Sequence, residues 1–447
     1  MRIVALVAPL LAGLIAGLLP TLAIAAPVLL ISIDGLRPGD LLEADKRGVR
    51  APALKALMAE GAYATGVRNV LPTVTYPNHT TLITGVSPAR HGISSNTVFD
   101  PMGVADGGWY WYSSDIAAPT LWDAVHGAGQ VVANIAWPVS VGAQSIDANI
   151  PEFWGRSTPD NKKLLRALAT PGLADELESR TDAPFAAMYA DSIEADEAKV
   201  RYAGALIAAR RPTFTTLHLV SLDDAQHGYG PGAPEVYAVL TRIDAAVGAL
   251  ITAARKVRPD MVVAIVSDHG FANVSYDVNL KSLFAAEGLI TLDAAKTGVA
   301  SWDASPWGAG GSAAVVLARP NDAALRAKVA ALLARLQKQP ELGIAAVIDE
   351  KGVAARGGAR EAAFFVNFKE GYESGDNLTG PAVTASGAKG MHGYFPDTPE
   401  MRAAFVISGK GLAKTGSLGE VDMRDIAPTL ARIINVSLPG AEGKPLF

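Results

Sequence analysis

Three short apolar runs in this chain stop at carboxylates, and that feature constrains the fold more than any other. They are "VLLISIDG" (28–35), "TFTTLHLVSLDD" (213–224) and "MVVAIVSDHG" (261–270). Each is rich in Val, Ile or Leu and closes in a turn, as strands buried on both faces do. Helical patterns lie between them, such as "APALKALMAEG" and "PEVYAVLTRIDAAVGALITAARK". The second opens at Pro234, carries Glu235 in its first turn and ends basic, as a helix dipole prefers. This alternation predicts an α/β fold: a doubly wound, mostly parallel central sheet with helices on both faces. Ligands bind at the C-terminal strand edge of such sheets. Asp34, Asp223, Asp224 and Asp268 with its neighbour His269 would therefore gather along one edge.

A fourth run, "AAFVISGKG" (403–411), reads as a further strand and follows a turn-rich loop that carries His392. Between residues 285 and 390 the pattern changes. "SAAVVLARP" and "AAFFVNF" read as strands, and "DAALRAKVAALLARLQKQPE" reads as a helix capped by Asp322. This predicts a smaller α+β insertion over 285–390, set into a catalytic domain spanning 26–447. Asp425, at the head of the last helical pattern, reads as a cap.

The 447-residue chain is 49% hydrophobic, enough for a large core. Its net charge is −5 and it has no basic block, which argues against binding a nucleic-acid duplex. Arg2 precedes a long apolar run, and Ala23-Ile24-Ala25 offers small residues for cleavage. Residues 1–25 thus read as a signal peptide, and the protein as exported, to the periplasm. The run is also long enough to span a bilayer, so an uncleaved membrane anchor is the competing reading. After cleavage no stable membrane span is expected. There is no cysteine, hence no disulfide and no lipid-modified cysteine. Nothing in the sequence bears on oligomeric state.

Seven histidines occur in the chain. Three sit beside aspartates or in glycine-bounded loops: His227, His269 and His392. Asp223 and His227 are four apart, so on a helix they face the same way. With Asp34 and Asp268 they make three carboxylates and three imidazoles, a set that suits zinc and leaves positions open for substrate. Singly, each of these signals is weak, because a strand-end aspartate often only caps the next helix. Their shared edge is what gives them weight.

"PTVTYPNHTTLITG" (72–85) packs five threonines, two prolines, an asparagine and a histidine into fourteen positions. It has too many hydroxyls for an ordinary buried helix. Thr75 is a candidate nucleophile, for which a base or metal must stabilise the alkoxide. Two metals would also stabilise the attacking and leaving oxygens of a displacement at phosphorus. The segment after His79 reads as a helix, whose N-terminus suits a phosphate. An N-capping threonine is the plain alternative.

At this point the chain resembles the nucleotide pyrophosphatase/phosphodiesterase family of the alkaline phosphatase superfamily. The motifs are "ISIDGLRP", "PTVTYPNHTTLITG", "RHGISSNTVFDP", "LDDAQHGYGP", "SDHGF" and "MHGY", in this order. The resemblance implies an alkaline phosphatase-like fold and two Zn²⁺ ions. Asp34, Asp268 and His269 would hold one, completed by Thr75, and Asp223, His227 and His392 the other. It further implies zinc-dependent hydrolysis of phosphodiester or phosphoanhydride bonds through a phosphothreonine at Thr75. Asn96 would donate to a phosphoryl oxygen together with the Tyr76 backbone N–H. Tyr76 would pack against the group carried by the phosphate, and Trp154, in "PEFWG", would form the opposite wall unless it is a core aromatic. His79 would brace the nucleophile turn. His91 belongs to a motif but not to the ligand set, and His126 and His218 show no partner. Asp224 departs from the usual motif, though the spacing to His227 favours Asp223 as ligand.

The implied substrate is a small phosphodiester or nucleotide. Its leaving group stays open between nucleoside, choline-type, sugar and lipid. A phosphonate hydrolase or phosphomonoesterase on the same metals is the nearest alternative. A non-catalytic exported zinc-binding protein is the distant one. A monoesterase needs added positive charge, and no arginine flanks Thr75.

Overall fold

A computed structural model describes residues 25–105, 108–153 and 159–447. The expected signal peptide and Trp154 lie outside the described residues. The central sheet has eight strands in the order Gly416–Ser417, Ala62–Tyr63, Phe405–Ser408, Val262–Val266, Val28–Ile33, Phe214–Leu219, Val132–Ile135 and Ala148–Ile150. All neighbours are parallel except the two pairings made by Phe405–Ser408. The expected doubly wound, mostly parallel α/β sheet is therefore present.

Alternation along Val28–Ile33 shows why both faces are covered. Leu29, Ile31 and Ile33 enter one core with the helices Pro52–Glu60, Ile193–Arg210 and Pro234–Val257. Val28 and Leu30 enter a second core with Thr75–Thr84, Leu121–Gly127 and Ile426–Ile434. Successive side chains of a strand point to opposite faces, so an unbroken apolar run requires apolar partners on both.

Two local expectations change. The strand containing His218 stops at Leu219, and Asp223 and Asp224 sit in the first turn of the following helix, Ser221–Tyr229. That helix has no side-chain cap of its own. Buried Asp196 supplies one, accepting the N–H groups of Val220 (3.2 Å) and Ser221 (2.8 Å). Asp425 occupies the N-cap position of Ile426–Ile434, but its carboxylate accepts the Lys444 N–H (2.8 Å) instead. It ties down the C-terminal segment, so the capping expectation for its side chain does not hold. Asp322 does cap its helix, accepting the Leu325 N–H at 2.9 Å.

A second layer follows the sheet. Ala304–Gly308, Ser312–Leu317, Ala362–Phe368 and Ile344–Asp349 form an antiparallel sheet in that order. The buried residues of helix Ala323–Leu336 share a core with it. Ala272–Val278, which continues from the Asp268 turn, pairs with Gly371–Ser374, Val383–Ala385 and Gly390–Met391. The last pairing carries His392 back to the edge of the central sheet.

Candidate active site

The strand edges deliver their acids to one point. Asp34 follows Val28–Ile33, and the next residue, Gly35, turns the chain with φ 69°. A Cβ there would lie 2.7 Å from both Gln226 and Phe271, so only glycine fits the turn. The Gly35 N–H donates to Asp268 Oδ1 at 3.2 Å, joining two strand ends. Asn69 donates to the Asp268 carbonyl and braces the same turn.

The three histidines share one arrangement. Each gives its Nδ1–H to a backbone carbonyl: His227 to Gly390 (2.9 Å), His269 to Gly270 (3.2 Å) and His392 to Thr73 (3.1 Å). That leaves Nε2 of each aimed inward. His269 Nε2 lies 3.0 Å from Asp268 Oδ2 and 3.3 Å from Asp34 Oδ1. Asp223 is shared: Oδ2 is 3.3 Å from His227 Nε2, and Oδ1 is 3.8 Å from His392 Nε2 and 4.0 Å from His269 Nε2. Two groups with metal-ligand spacing result, Asp223–His227–His392 and Asp34–Asp223–His269. The rings of His269 and His392 stack with centroids 3.6 Å apart.

A cation fits this geometry. Asp34 Oδ1, Asp223 Oδ1 and Asp268 Oδ2 are buried without a hydrogen-bond partner. With Nδ1 carrying the proton, Nε2 lone pairs face carboxylate lone pairs, which a shared cation, or a further proton in its place, makes favourable. The electrostatics of the carboxylates and imidazoles express the same strain. Burial, then the charges of Asp268 and Asp223, push the Asp34 carboxyl well above the usual carboxylate range. Burial also opposes ionisation of Asp223, but His227, His392 and His269 outweigh it and bring it to about 2. Asp268 is likewise held down, burial being overcome by His269 and His79. Burial and the neighbouring His269 depress His392 to about 3. Burial disfavours the His227 cation too, yet Asp223 raises it to about 9. Without metal, His227 thus keeps a proton where a cation would sit.

Thr75 stands at the first position of helix Thr75–Thr84, with Val74 at the N-cap. Its hydroxyl is therefore not the cap, and it lies 3.5 Å from His269 Nε2. The helix is buried from Tyr76 to Thr84. Its buried hydroxyls are satisfied locally: Thr80 donates to the Tyr76 carbonyl (2.8 Å), Thr84 to the Thr80 carbonyl (2.7 Å) and Thr81 to the Val86 carbonyl just past the helix (2.9 Å). Asn78 ties the entry, donating to the Pro72 and Val74 carbonyls (2.9 and 2.8 Å) and accepting the Val70 N–H (3.1 Å). His79 braces the turn as expected, bonding the Thr75 carbonyl (2.9 Å) and Ser32 Oγ (2.8 Å).

The N–H and ring of Tyr76 are placed differently from expectation. Asn96 Oδ1 accepts the Tyr76 N–H at 2.8 Å, so that N–H is already engaged and Asn96 Nδ2 is the free donor. The Tyr76 ring is fully buried, edge-on to Trp109 and Trp111 with centroids 5.1 and 6.2 Å away, and so walls no open pocket. Trp109 lines a cleft of about 530 Å³ with Asn96, Phe99, Trp307, Glu373 and His392. Asp224 is outside both ligand groups.

Two histidines without a visible partner in the sequence have one in the fold. His218 lies between Asp34 (3.1 Å) and Glu152 (2.6 Å), and His126 is 3.2 Å from Asp147. Only an isolated histidine within an apolar strand hinted at the first of these.

With the site in place, comparison with known proteins decides the family. A model of "Type I phosphodiesterase / nucleotide pyrophosphatase" matches residues 28–395. The chain belongs to this family. Among curated members, human ectonucleotide pyrophosphatase/phosphodiesterase family member 1 is 27% identical over 255 residues, covering 55% of this chain and 23% of that protein. Venom phosphodiesterase 2 of Crotalus adamanteus is 26% identical over 263 residues, covering 56% of this chain and 28% of its own. The chain thus spans about a quarter of the length of these relatives. Human ectonucleotide pyrophosphatase/phosphodiesterase 5 superposes with a TM-score of 0.66 at 22% identity, covering 94% of this chain and 97% of that one. An inactive threonine-to-alanine variant of the murine protein, in complex with AMP, does so at 20% identity. These two likenesses concern the alkaline phosphatase-like fold.

Proposed function

We propose that the chain is a metal-dependent phosphodiesterase and nucleotide pyrophosphatase that works through a phosphothreonine at Thr75. One observation carries the reading: a hydroxyl at a helix N-terminus lies 3.5 Å from a histidine that stands among orphaned carboxylates. Asp34, Asp268 and His269, with Thr75, would hold one zinc, and Asp223, His227 and His392 the other; Asp223 lies close enough to serve both groups. Bound there, the ions would favour the Thr75 alkoxide and neutralise charge on the attacking and leaving oxygens. Thr75 Oγ1 gives up its proton to solvent and attacks phosphorus, the P–O bond to the leaving group breaks, the departing oxygen takes up a proton from water, and Thr75 keeps the phosphoryl group with whatever ester it still carries. Asn96 Nδ2 donates to a non-bridging oxygen, while Asn96 Oδ1 stays fixed on the Tyr76 N–H. Water then cleaves the phosphothreonine and returns the proton to Thr75.

The substrate is a small nucleotide or phosphodiester. The aromatic cleft walls Phe99, Trp109 and Trp307 offer faces on which a base can lie. No arginine lines the cleft among the described residues, and its Lys281 is paired with Asp376 at 2.8 Å. That favours a monoanionic diester over a dianionic monoester. We read residues 285–390 as an inserted unit that supplies one cleft wall, and the protein as exported, to the periplasm.

The test is a substrate panel on zinc-loaded protein: bis(p-nitrophenyl) phosphate, p-nitrophenyl phosphate, phosphonoacetate, dinucleotides, nucleoside triphosphates, cyclic nucleotides and glycerophosphodiesters. Preference for diesters or anhydrides is expected, and preference for the monoester sinks the reading. Thr75→Ala keeps its metal and loses at least about 10³-fold in kcat. Retention of turnover in that variant removes the nucleophile.

A further inference from the structure

We propose that His218 and Glu152 are positioning residues that fix Asp34 as a metal ligand, an inference that rests on the metal-site reading above. His218 is the penultimate residue of Phe214–Leu219, paired in register with Ser32 of the neighbouring strand. Its Nε2 meets Asp34 Oδ2 at 3.1 Å and its Nδ1 meets Glu152 Oε2 at 2.6 Å. All three residues are at most 3% exposed. Asp34 thus has one oxygen anchored on the sheet side. The other, Oδ1, has no hydrogen-bond partner and faces His269 Nε2 at 3.3 Å. The anchor decides which oxygen the site receives.

Glu152 stands two residues beyond Ala148–Ile150, at the same strand edge as the ligands but on the far side of His218. It belongs to neither ligand group and reaches Asp34 through its hydrogen bond to the imidazole, besides the direct effect of its own charge on that carboxylate. The His218 ring also packs edge-on to His79, centroids 4.3 Å apart, and His79 holds the Thr75 carbonyl. One buried imidazole therefore braces a ligand and backs the nucleophile turn. Such a pair needs a reason: burying two ionisable groups costs stability, and an apolar pair of similar volume packs as well. Fixing a ligand's orientation supplies one, because groups behind metal ligands typically tune affinity about 10–100-fold.

The test uses full-length zinc-loaded protein titrated with a chromogenic chelator, with cobalt substitution to report the geometry of the centre. His218→Phe keeps ring volume and removes both hydrogen bonds. It should weaken one zinc equivalent about 10–100-fold, leave the other within about twofold, and alter the visible cobalt spectrum. Its kcat should fall with KM for bis(p-nitrophenyl) phosphate within about twofold. His218→Gln keeps a donor toward Asp34 and should recover most of the affinity. Glu152→Leu frees the ring and should give a smaller loss, about 10-fold. Wild-type affinity and cobalt spectrum in His218→Phe overturn the proposal, as does an equal loss in His218→Gln. If His218→Phe does not fold, wild-type zinc affinity in both other variants overturns it. A wild-type protein that binds two zinc ions yet cleaves no diester would sink the functional reading and leave this test standing.

Discussion

Two helices show how differently composition and burial can be related. Thr75–Thr84 is polar by composition yet buried along nearly its whole length. Pro234–Val257 is apolar enough, over 24 residues, to cross a membrane by length and composition, yet only 39% of its most apolar window is buried. The short helix enters the core because its hydroxyls bond carbonyls one turn back and Asn78 closes its entry. The long helix lies half in water because its buried apolar residues, Val236, Leu240, Ile243, Val247, Leu250, Ile251 and Ala254, form one stripe. Hydrogen-bond satisfaction governs the first and amphipathic spacing the second. Each prediction below strains one side of this contrast.

The largest effect on folding is expected at Asn78. Its side chain makes three hydrogen bonds to backbone groups and is fully buried. Asn78→Ala strands the Val70 N–H and the Pro72 carbonyl away from water, while the Val74 carbonyl keeps the residue-78 N–H at 3.4 Å; at about 1–3 kcal/mol for a stranded group, a loss of about 3 kcal/mol is expected in urea unfolding. Asn78→Asp keeps the acceptor and should cost less if the Val70 bond dominates. A loss under about 1 kcal/mol in Asn78→Ala would mean that packing, not hydrogen bonding, holds the nucleophile helix.

The same helix leans on a neutral imidazole. Burial depresses His91 to about 3. Its Nε2 is 3.1 Å from Thr81 Oγ1, and its Nδ1 accepts the Ile93 N–H at 3.1 Å, so the ring sits neutral. The folded value lies below the ordinary 6.5, so the unfolded chain binds the extra proton first. The resulting stability is intact above about pH 6.5 and is lost as pH falls from there toward about 3, by about 1.4 kcal/mol per pH unit. At about pH 5 the loss is about 2 kcal/mol. His91→Gln should flatten the acid limb of a stability–pH curve by that slope. An unchanged limb would assign acid sensitivity to other histidines.

Much of this was legible and some was not. The sheet was readable because buried parallel strands write themselves as unbroken apolar runs. Asp223 and His227 were readable because a helix turn is local. Burial of the threonines was not, since it depends on carbonyls that become acceptors only once the helix exists. Glu152 was not either, because its partner is 66 residues away and an isolated glutamate after a short strand carries no pattern. Tyr76 was misplaced for a related reason: its neighbours Trp109 and Trp111 come from a loop whose path the motifs do not encode.

The long helix also supplies a polar anchor where its stripe predicts only apolar contact. Asp244 is 1% exposed and accepts the N–H groups of Ala53 (3.1 Å) and Leu54 (2.8 Å). It caps Pro52–Glu60, whose own N-cap residue, Ala51, makes no side-chain bond. Asp244→Ala should cost about 1–2 kcal/mol, and Asp244→Asn, which keeps one acceptor, about half of that. Equal losses would show that the charge matters more than the acceptor geometry.

The smallest effect tests whether this helix behaves as a core helix or as a membrane segment. Ala249 faces solvent between the buried positions Val247 and Leu250. On a helix packed against the sheet, Ala249→Lys places a charge in water and should change stability by no more than about 0.5 kcal/mol. On a helix surrounded by hydrocarbon the same lysine would cost about 3 kcal/mol at mid-span. The packing speaks for the first case: Asp244 is bonded inward, and Arg242 reaches Glu194 (2.7 Å) and Glu197 (3.0 Å) on helix Ile193–Arg210. A helix committed to both contacts cannot turn its stripe toward lipid without breaking a cap and two ion pairs. Unchanged detergent-free solubility and melting of Ala249→Lys would therefore set length and apolar composition aside as evidence for a span here, whereas a large loss would reopen the membrane reading for this segment alone.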